Sequence, residues 1–294
     1  MVTIDSCPIC LNSEFIHFLD CKDFTVSRET FTIVKCKHCN FLFTNPKPEA
    51  NKIGAYYKSE DYISHSNTSK GLINKIYKLA RKYTLNRKLR LVNSFAVGKN
   101  ILDIGCGTGE FLDICKRNGW LTKGIEPDEE ARNLGISQYG LQVNPESALA
   151  EHQTGSFNVI SMWHVLEHVY DLRERVKELK RLLSQDGTIL IAVPNCSSAD
   201  ASFYKEAWAA YDLPRHLYHF QPMDIQRLFE DLGMKVVKML PMKLDAYYVS
   251  MLSEKYLTGH PNIMKALFHG FSSNRAASRN PGTYSSQIYL IQKK

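Results

Sequence analysis

The chain reads as an α/β protein, a doubly wound, largely parallel sheet preceded by a small cysteine-bearing module. Three observations predict this. Apolar runs near 99–104, 120–125, 141–143, 157–162, 187–193, 233–240 and 285–292 alternate with helically spaced stretches near 109–118, 128–138, 145–152, 170–184 and 222–232. Alternation of this kind builds a parallel sheet with helices on both faces. The first run ends in Asp103 and enters the turn Gly105-Cys106-Gly107-Thr108-Gly109, which punctuates a strand and opens a helix. Two Cys-x-x-Cys pairs precede both features. At 294 residues and 44% hydrophobic content, the chain holds one such domain plus a small accessory unit.

In chain order, Cys7 and Cys10 are followed after 25 intervening residues by Cys36 and Cys39. Each pair is a tight knuckle, and four thiolates make a closed tetrahedral zinc site. Strand-like residues 31–35 lead into the second knuckle and 41–43 leave it, so residues 1–45 read as a zinc ribbon. Four reduced core cysteines, or redox chemistry at the pairs, are the alternatives. Cys21, His17 and His38 are left out of the ligand set. Asn45-Pro46-Lys47-Pro48 is a linker by its prolines. Residues 46–97 then carry a tyrosine-rich stretch (Tyr56, Tyr57, Tyr62) and a helix with apolar residues at Leu72, Ile76, Leu79, Tyr83, Leu85, Leu89 and Val92.

The net charge of +7 is local. Between Asp61 and Asp103 there is no acid but nine bases, among them Lys70, Lys75, Lys78, Arg81, Arg87 and Lys88; the remaining chain carries 28 bases against 30 acids. That segment is either a solvated basic face or a grip on an anionic partner such as RNA, phosphorylated substrate or lipid surface. Eight cysteines spread over a long chain argue against a disulfide scaffold. No apolar run approaches a membrane span. The start MVTIDSCPIC lacks the basic and apolar segments of a signal peptide, which reads as cytoplasmic.

The glycine turn narrows the ligand only together with Asp103, Glu126 and the strands and helices downstream; a tight structural turn between strand and helix is the alternative. Glu126 ends the next apolar stretch, 21 residues after Gly105, where a nucleoside-binding unit places its ribose carboxylate. Nicotinamide sites use G-x-G-x-x-G. Here the pattern is D-x-G-x-G-x-G, and Asp103 would repel a pyrophosphate. S-adenosylmethionine has no phosphate and carries a sulfonium and an ammonium, which an acid suits.

These residues resemble the class I S-adenosylmethionine-dependent methyltransferases, in the branch related to ubiquinone-type O-methyltransferases. The resemblance covers residues 98–240 and extends to 286–292. It rests on ILDIGCGTG (101–109), GIEPD (124–128), FNVISMWHVLEHVYD (157–171) and LLSQDGTILIAVPN (182–195). It implies a Rossmann-like seven-stranded sheet with a reversed last strand over residues 98–294, capped by the helices of 46–97. It also implies a cofactor held by Asp103, Gly105, Gly107, Gly109 and Glu126. Pro127 or Asp128 is expected to flank the adenine, and Trp163 or His164 to lie beside the cofactor.

Ligands of such sheets sit over the carboxyl ends of the strands. Methyl transfer to a hydroxyl or carbon acid also needs a base. His164, Glu167 and His168 follow the fourth strand. The relatives resemble E-x-x-E-H there, a pattern associated with a divalent metal; here it is H-x-x-E-H. His168 is the expected general base, oriented by Glu167, with a structural Glu–His pair as the alternative. A second cluster, 212–220, holds His216 and His219, three apart and expected to share a face, with His216 assigned a substrate or catalytic role. Tyr204, Trp208 and Tyr211 are candidates for an aromatic wall.

The expected function is methylation of a hydroxyl or carbon of a small molecule: a sugar, quinone, lipid or natural-product precursor. The alternatives are an RNA methyltransferase using the ribbon and basic helix, and a non-catalytic cofactor-binding regulator. Ala192-Val193-Pro194-Asn195 stands where an Asn-Pro-Pro-Tyr motif would serve amine methylation, which disfavours base N-methylation.

Overall fold

The computed structural model describes residues 1–57 and 72–294, the second stretch with side chains from residue 81. The expectations for Tyr62, Lys70, Leu72, Lys75, Ile76, Lys78 and Leu79 lie outside the described residues or side chains. Among the described residues the strands are β1 (Phe15–Lys22), β2 (Thr30–Cys36), β3 (Leu42–Thr44), β4 (Asn100–Ile104), β5 (Leu121–Ile125), β6 (Val143–Asn144), β7 (Phe157–Trp163), β8 (Leu183–Pro194), β9 (Tyr218–His219), β10 (Met234–Pro241) and β11 (Ser286–Lys293). The helices are α1 (Leu72–Phe95), α2 (Glu110–Arg117), α3 (Glu129–Tyr139), α4 (Leu172–Leu182), α5 (Ala199–Tyr204), α6 (Pro222–Asp231), α7 (Asp245–Thr258) and α8 (Ile263–Arg279).

The seven-stranded sheet has the order β10-β11-β8-β7-β4-β5-β6. Strands β6, β5, β4, β7 and β8 run parallel, and β11 is antiparallel to both β8 and β10, so the last strand is reversed as expected. Successive side chains of a strand alternate between its faces. In β8, Ile189 and Ile191 pack with α4 and α6 (Val176, Leu179, Ile225, Phe229), while Leu190 and Ala192 pack with α1 and α2 (Leu89, Val92, Phe111, Leu112). Asp128 and Asp171 cap α3 and α4, accepting from the amides of Ala131 and Glu174.

The N-terminal sheet, order β1-β2-β3-β9, differs from a free-standing ribbon. Its last strand comes from the loop after β8: Leu42 pairs with His219 and Phe43 with Tyr218. Cys7, Ile9, Cys36, Phe41 and Phe43 share one core with Leu102, Ile160 and Phe220. The N-terminal unit runs a little past the division drawn at residue 45, since Val2 and Lys47 form a bridge, and Lys47 Nζ donates to the Tyr170 oxygen at 2.9 Å. The sequence reading also missed the hairpin of α7 and α8, inserted between β10 and β11.

Candidate active site

Three segments converge over the carboxyl ends of β4, β5 and β7. The turn after β4 is bound to its neighbour strand, with the amides of Gly105 and Cys106 both donating to the Ile125 oxygen. Gly105 has φ +70°, and a Cβ there would fall 2.4 Å from Val165 Cγ2. Gly107 has φ +55° but open space where its Cβ would stand, so this turn needs glycine for its backbone and leaves room above it.

Glu126 Oε2 accepts from Gly107 N at 2.8 Å and Oε1 from Asp128 N at 3.0 Å. Each oxygen keeps a further lone pair for a ligand hydroxyl. Burial raises the Glu126 pKa against the help of those two amides. Pro127 is tied back by Arg132, which donates to its oxygen at 2.6 Å.

Asp103 is only 2% exposed and accepts from Ser161 Oγ at 2.5 Å. Burial pushes its carboxyl up to about 7, with Ser161 and Lys88 working the other way. Its charge acts on Lys88 and Glu126, which flank the turn. Lys88, absent from the candidate residues, lies above it: its Nζ is 4.2 Å from the centre of the Trp163 ring. Burial pulls the Lys88 pKa down to about 8 against the attraction of Asp103 and Asp245. Trp163 also packs edge-on against Phe111, and its buried Nε1 has no hydrogen-bond partner. Arg87, Lys88, Trp163, Met242 and Asp245 line a cavity of about 370 Å³.

At the end of β7, His164 takes φ +57°, a left-handed backbone uncommon for a non-glycine residue. Its Nε2 lies 3.1 Å from Asp245 Oδ2 and its Nδ1 3.5 Å from Glu167 Oε1. Burial opposes its charge, but Asp245 and then Glu167 outweigh burial and raise its pKa to about 10. His164 is thus a cation at neutral pH and not a base. Glu167 is fully buried, and neither oxygen has a hydrogen-bond partner. Against burial, the facing imidazoles, His164 first, hold its carboxyl below the usual range.

His168 is not oriented by Glu167. Its Nδ1 meets the Arg215 carbonyl oxygen at 3.0 Å and the Tyr57 hydroxyl at 2.9 Å. A carbonyl only accepts, so Nδ1 carries the hydrogen and Nε2 the lone pair. Burial, then His216, pulls its pKa down to about 4, leaving a neutral imidazole. His216 donates Nδ1–H to the Ala210 oxygen at 2.8 Å, which bares its own Nε2. The two rings meet edge to face at 4.6 Å. A carboxylate oxygen of Glu167 and a ring nitrogen of each histidine all lie within 4.8 Å of one another.

His219 does not share this face. It sits in β9, Nε2 3.2 Å from Thr44 Oγ1, turned toward the N-terminal sheet. Tyr204, Trp208 and Tyr211 pack in a core cluster with Cys21, Phe31 and Ile33.

The four cysteine sulfurs of residues 7, 10, 36 and 39 also lie within 4.8 Å of one another, with Cys7–Cys39 and Cys10–Cys36 at 3.5 Å. A tetrahedral zinc with 2.3 Å bonds spaces its sulfurs about 3.8 Å apart, so the donor set fits. Among the described residues, no helix is long and apolar enough to cross a membrane.

A methyltransferase-domain family model matches residues 77–239. The ubiquinone biosynthesis O-methyltransferase of Methylococcus capsulatus is 29% identical over 157 residues, 48% of this chain and 65% of that protein. That of Aromatoleum aromaticum is 25% identical over 191 residues, 60% and 79% of the two chains. The chain thus spans just under two thirds of the length of the first relative and about four fifths of the second. Among solved structures, magnesium protoporphyrin IX methyltransferase from Synechocystis, with bound SAH, aligns with a TM-score of 0.55 at 12% identity, covering 84% of this chain and all of that one. A SAM-dependent methyltransferase from Archaeoglobus fulgidus aligns at 0.51 and 20% identity, covering 73% and 94%. At these identities the two structures speak for the fold alone.

Proposed function

This chain belongs to the class I S-adenosylmethionine-dependent methyltransferases, and from that premise we propose that it methylates a hydroxyl of a small molecule: a sugar, quinone, lipid or natural-product precursor. The observation that carries the reading is the cluster of Glu167, His168 and His216 at the end of β7, beside the turn that Glu126 braces. Relatives named for O-methylation support oxygen as the accepting atom.

When bound, the cofactor supplies an electrophilic methyl carbon on its sulfonium. Glu126 holds the ribose hydroxyls with its free lone pairs. The open space over Gly107 and the unpartnered Trp163 Nε1 fit a ligand lying across the turn. Lys88 faces the cavity as the cation opposite Asp103. His168 takes the acceptor's proton on Nε2, its other nitrogen fixed by the Arg215 carbonyl. Glu167 keeps His164 charged and faces the proton as it arrives. Cys7, Cys10, Cys36 and Cys39 hold one structural zinc.

RNA is not favoured as acceptor. Arg81 pairs with Glu110, Arg87 donates to the Pro241 oxygen and Lys99 lies over Trp120, so much of the basic run is engaged within the fold. A second reading rests on the closeness of Glu167, His168 and His216: one carboxylate and two imidazoles suit a divalent transition metal.

The test follows methyl label from the cofactor into a metabolite extract and into RNA. His168→Ala should lower kcat about 10²–10⁴-fold, the usual worth of a positioned base, with cofactor affinity unchanged. Loss of activity in EDTA, restored by Mn²⁺, would favour the metal reading. Label in RNA and in no small molecule would overturn the proposal.

A further inference from the structure

The hairpin of α7 and α8 lies outside the family match, and its second helix is built inside out. α8 buries Ala266, Gly270, Ser273 and Ala277. The packing is close enough that a Cβ on Gly270 would fall 2.6 Å from Tyr247 Cδ1. The large apolar side chains face solvent instead: Ile263, Met264, Leu267, Phe268 and Phe271 are between 49% and 77% exposed. Phe203 extends the patch, exposed itself and stacked on His269 at 3.9 Å between ring centres. A surface helix normally buries its apolar stripe. A contiguous patch left outside marks an interaction surface.

Charge selects the occupant. α8 carries Lys265, Arg275 and Arg279 and no acid, and the whole stretch 255–294 contains neither Asp nor Glu. A second copy of this face would set like charges against each other. An anionic lipid surface offers the complement: apolar side chains enter the acyl boundary while Lys and Arg reach the headgroup phosphates. We propose that α8 seats the protein on an anionic lipid surface. The seat is tied to the cavity wall, because Asn274 of α8 donates to the oxygen of the cavity-lining Lys243 at 2.8 Å.

The test is sedimentation of the full-length protein with vesicles of mixed phosphatidylglycerol and phosphatidylcholine, and with phosphatidylcholine alone. Binding to the anionic vesicles only, weakened by salt, is expected. Phe268→Ser and Phe271→Ser should each weaken it roughly tenfold or more, given what burying such a side chain contributes. Both residues are exposed, so Tm should not move and loss of binding cannot be loss of fold. Lys265→Glu with Arg279→Glu should remove the preference for anionic lipid. Failure to bind anionic vesicles, equal binding to neutral ones, or indifference to the serine variants would overturn the proposal. So would a concentration-dependent dimer that the same serine variants abolish.

Discussion

Arg215→Met tests whether the cysteine module and the catalytic domain stand or fall together. Arg215 is buried, and its Nη2 reaches Asp23 Oδ1 at 3.0 Å in the N-terminal module and Asp212 Oδ1 at 2.6 Å in the loop after β8. Its Nε donates to Asp212 Oδ2 at 2.9 Å and its Nη1 to the Tyr56 oxygen at 2.8 Å. Removing one partner of a buried pair costs about 3–5 kcal/mol, because a charge is stranded. Here the two carboxylates differ. Asp23 retains amides from Thr25, Val26 and Ser27 and two hydroxyls. Asp212 loses both of its guanidinium bonds, but its side chain is 25% exposed and regains water. The cost should fall at the lower end, about 3 kcal/mol, or a Tm loss of roughly 5–10 °C for a chain of this size.

The assay is urea unfolding followed by fluorescence and by circular dichroism. One transition is expected in both proteins, with the midpoint lowered and the slope unchanged. Arg215→Lys should recover only part of the loss, since an ammonium lacks the two-pronged geometry. The sign of the pH dependence follows from the carboxyls. Burial raises the Asp23 and Asp212 pKa values, but the amides of Asp23 and the Arg215 contact at Asp212 outweigh it, and both sit below the usual range. Their contribution is full above the unfolded pKa of about 4 and is lost as pH falls below it, so the acid limb should be shallower in the methionine variant. A shift under about 0.5 kcal/mol, typical of an unconnected surface site, would refute the reasoning. Two separate transitions, the later one unmoved, would do the same.

Metal analysis should find one zinc per chain, and Cys36→Ser should remove it and lower the single unfolding transition rather than melt the module alone. Gly105→Ala should weaken cofactor binding, because the added Cβ meets Val165 in a backbone already at positive φ; titration of the folded variant measures it. In wild type the His164 imidazole should titrate near 10 by NMR, and in Asp245→Asn clearly lower. Its raised pKa means the His164 contribution to stability is full below about pH 6.5, where the unfolded imidazole titrates, and is lost as pH rises through 10; Asp245→Asn should flatten that alkaline loss.

The sheet was legible because its signals are local. Apolar runs, glycines and capping acids announce β4, the turn, α2 and the strands that follow within a few residues of sequence. β9 was not legible: two residues become a strand only because β3 lies beside them. α8 hid for the opposite reason, since its buried stripe is alanine, glycine and serine, and its apolar residues face out. At the site, Glu126, Glu167, His168 and His216 were all named from motifs. Their arrangement was not: the orienting partner of His168 is a carbonyl 47 residues away, and Asp245, 81 positions after His164, makes that histidine a cation. Lys88 was counted in a basic run read as a solvated face or a grip on an anionic partner, and nothing in its helix spacing says that Trp163 folds beneath it.

The central claim is that the turn braced by Glu126 binds S-adenosylmethionine, and calorimetry tests it directly. The account predicts that the protein binds S-adenosylmethionine and its demethylated product and does not bind NAD. Glu126→Gln should weaken that binding by about 1–3 kcal/mol, the cost of leaving polar partners unpaired. Preferential binding of NAD, or full affinity in Glu126→Gln, would contradict it.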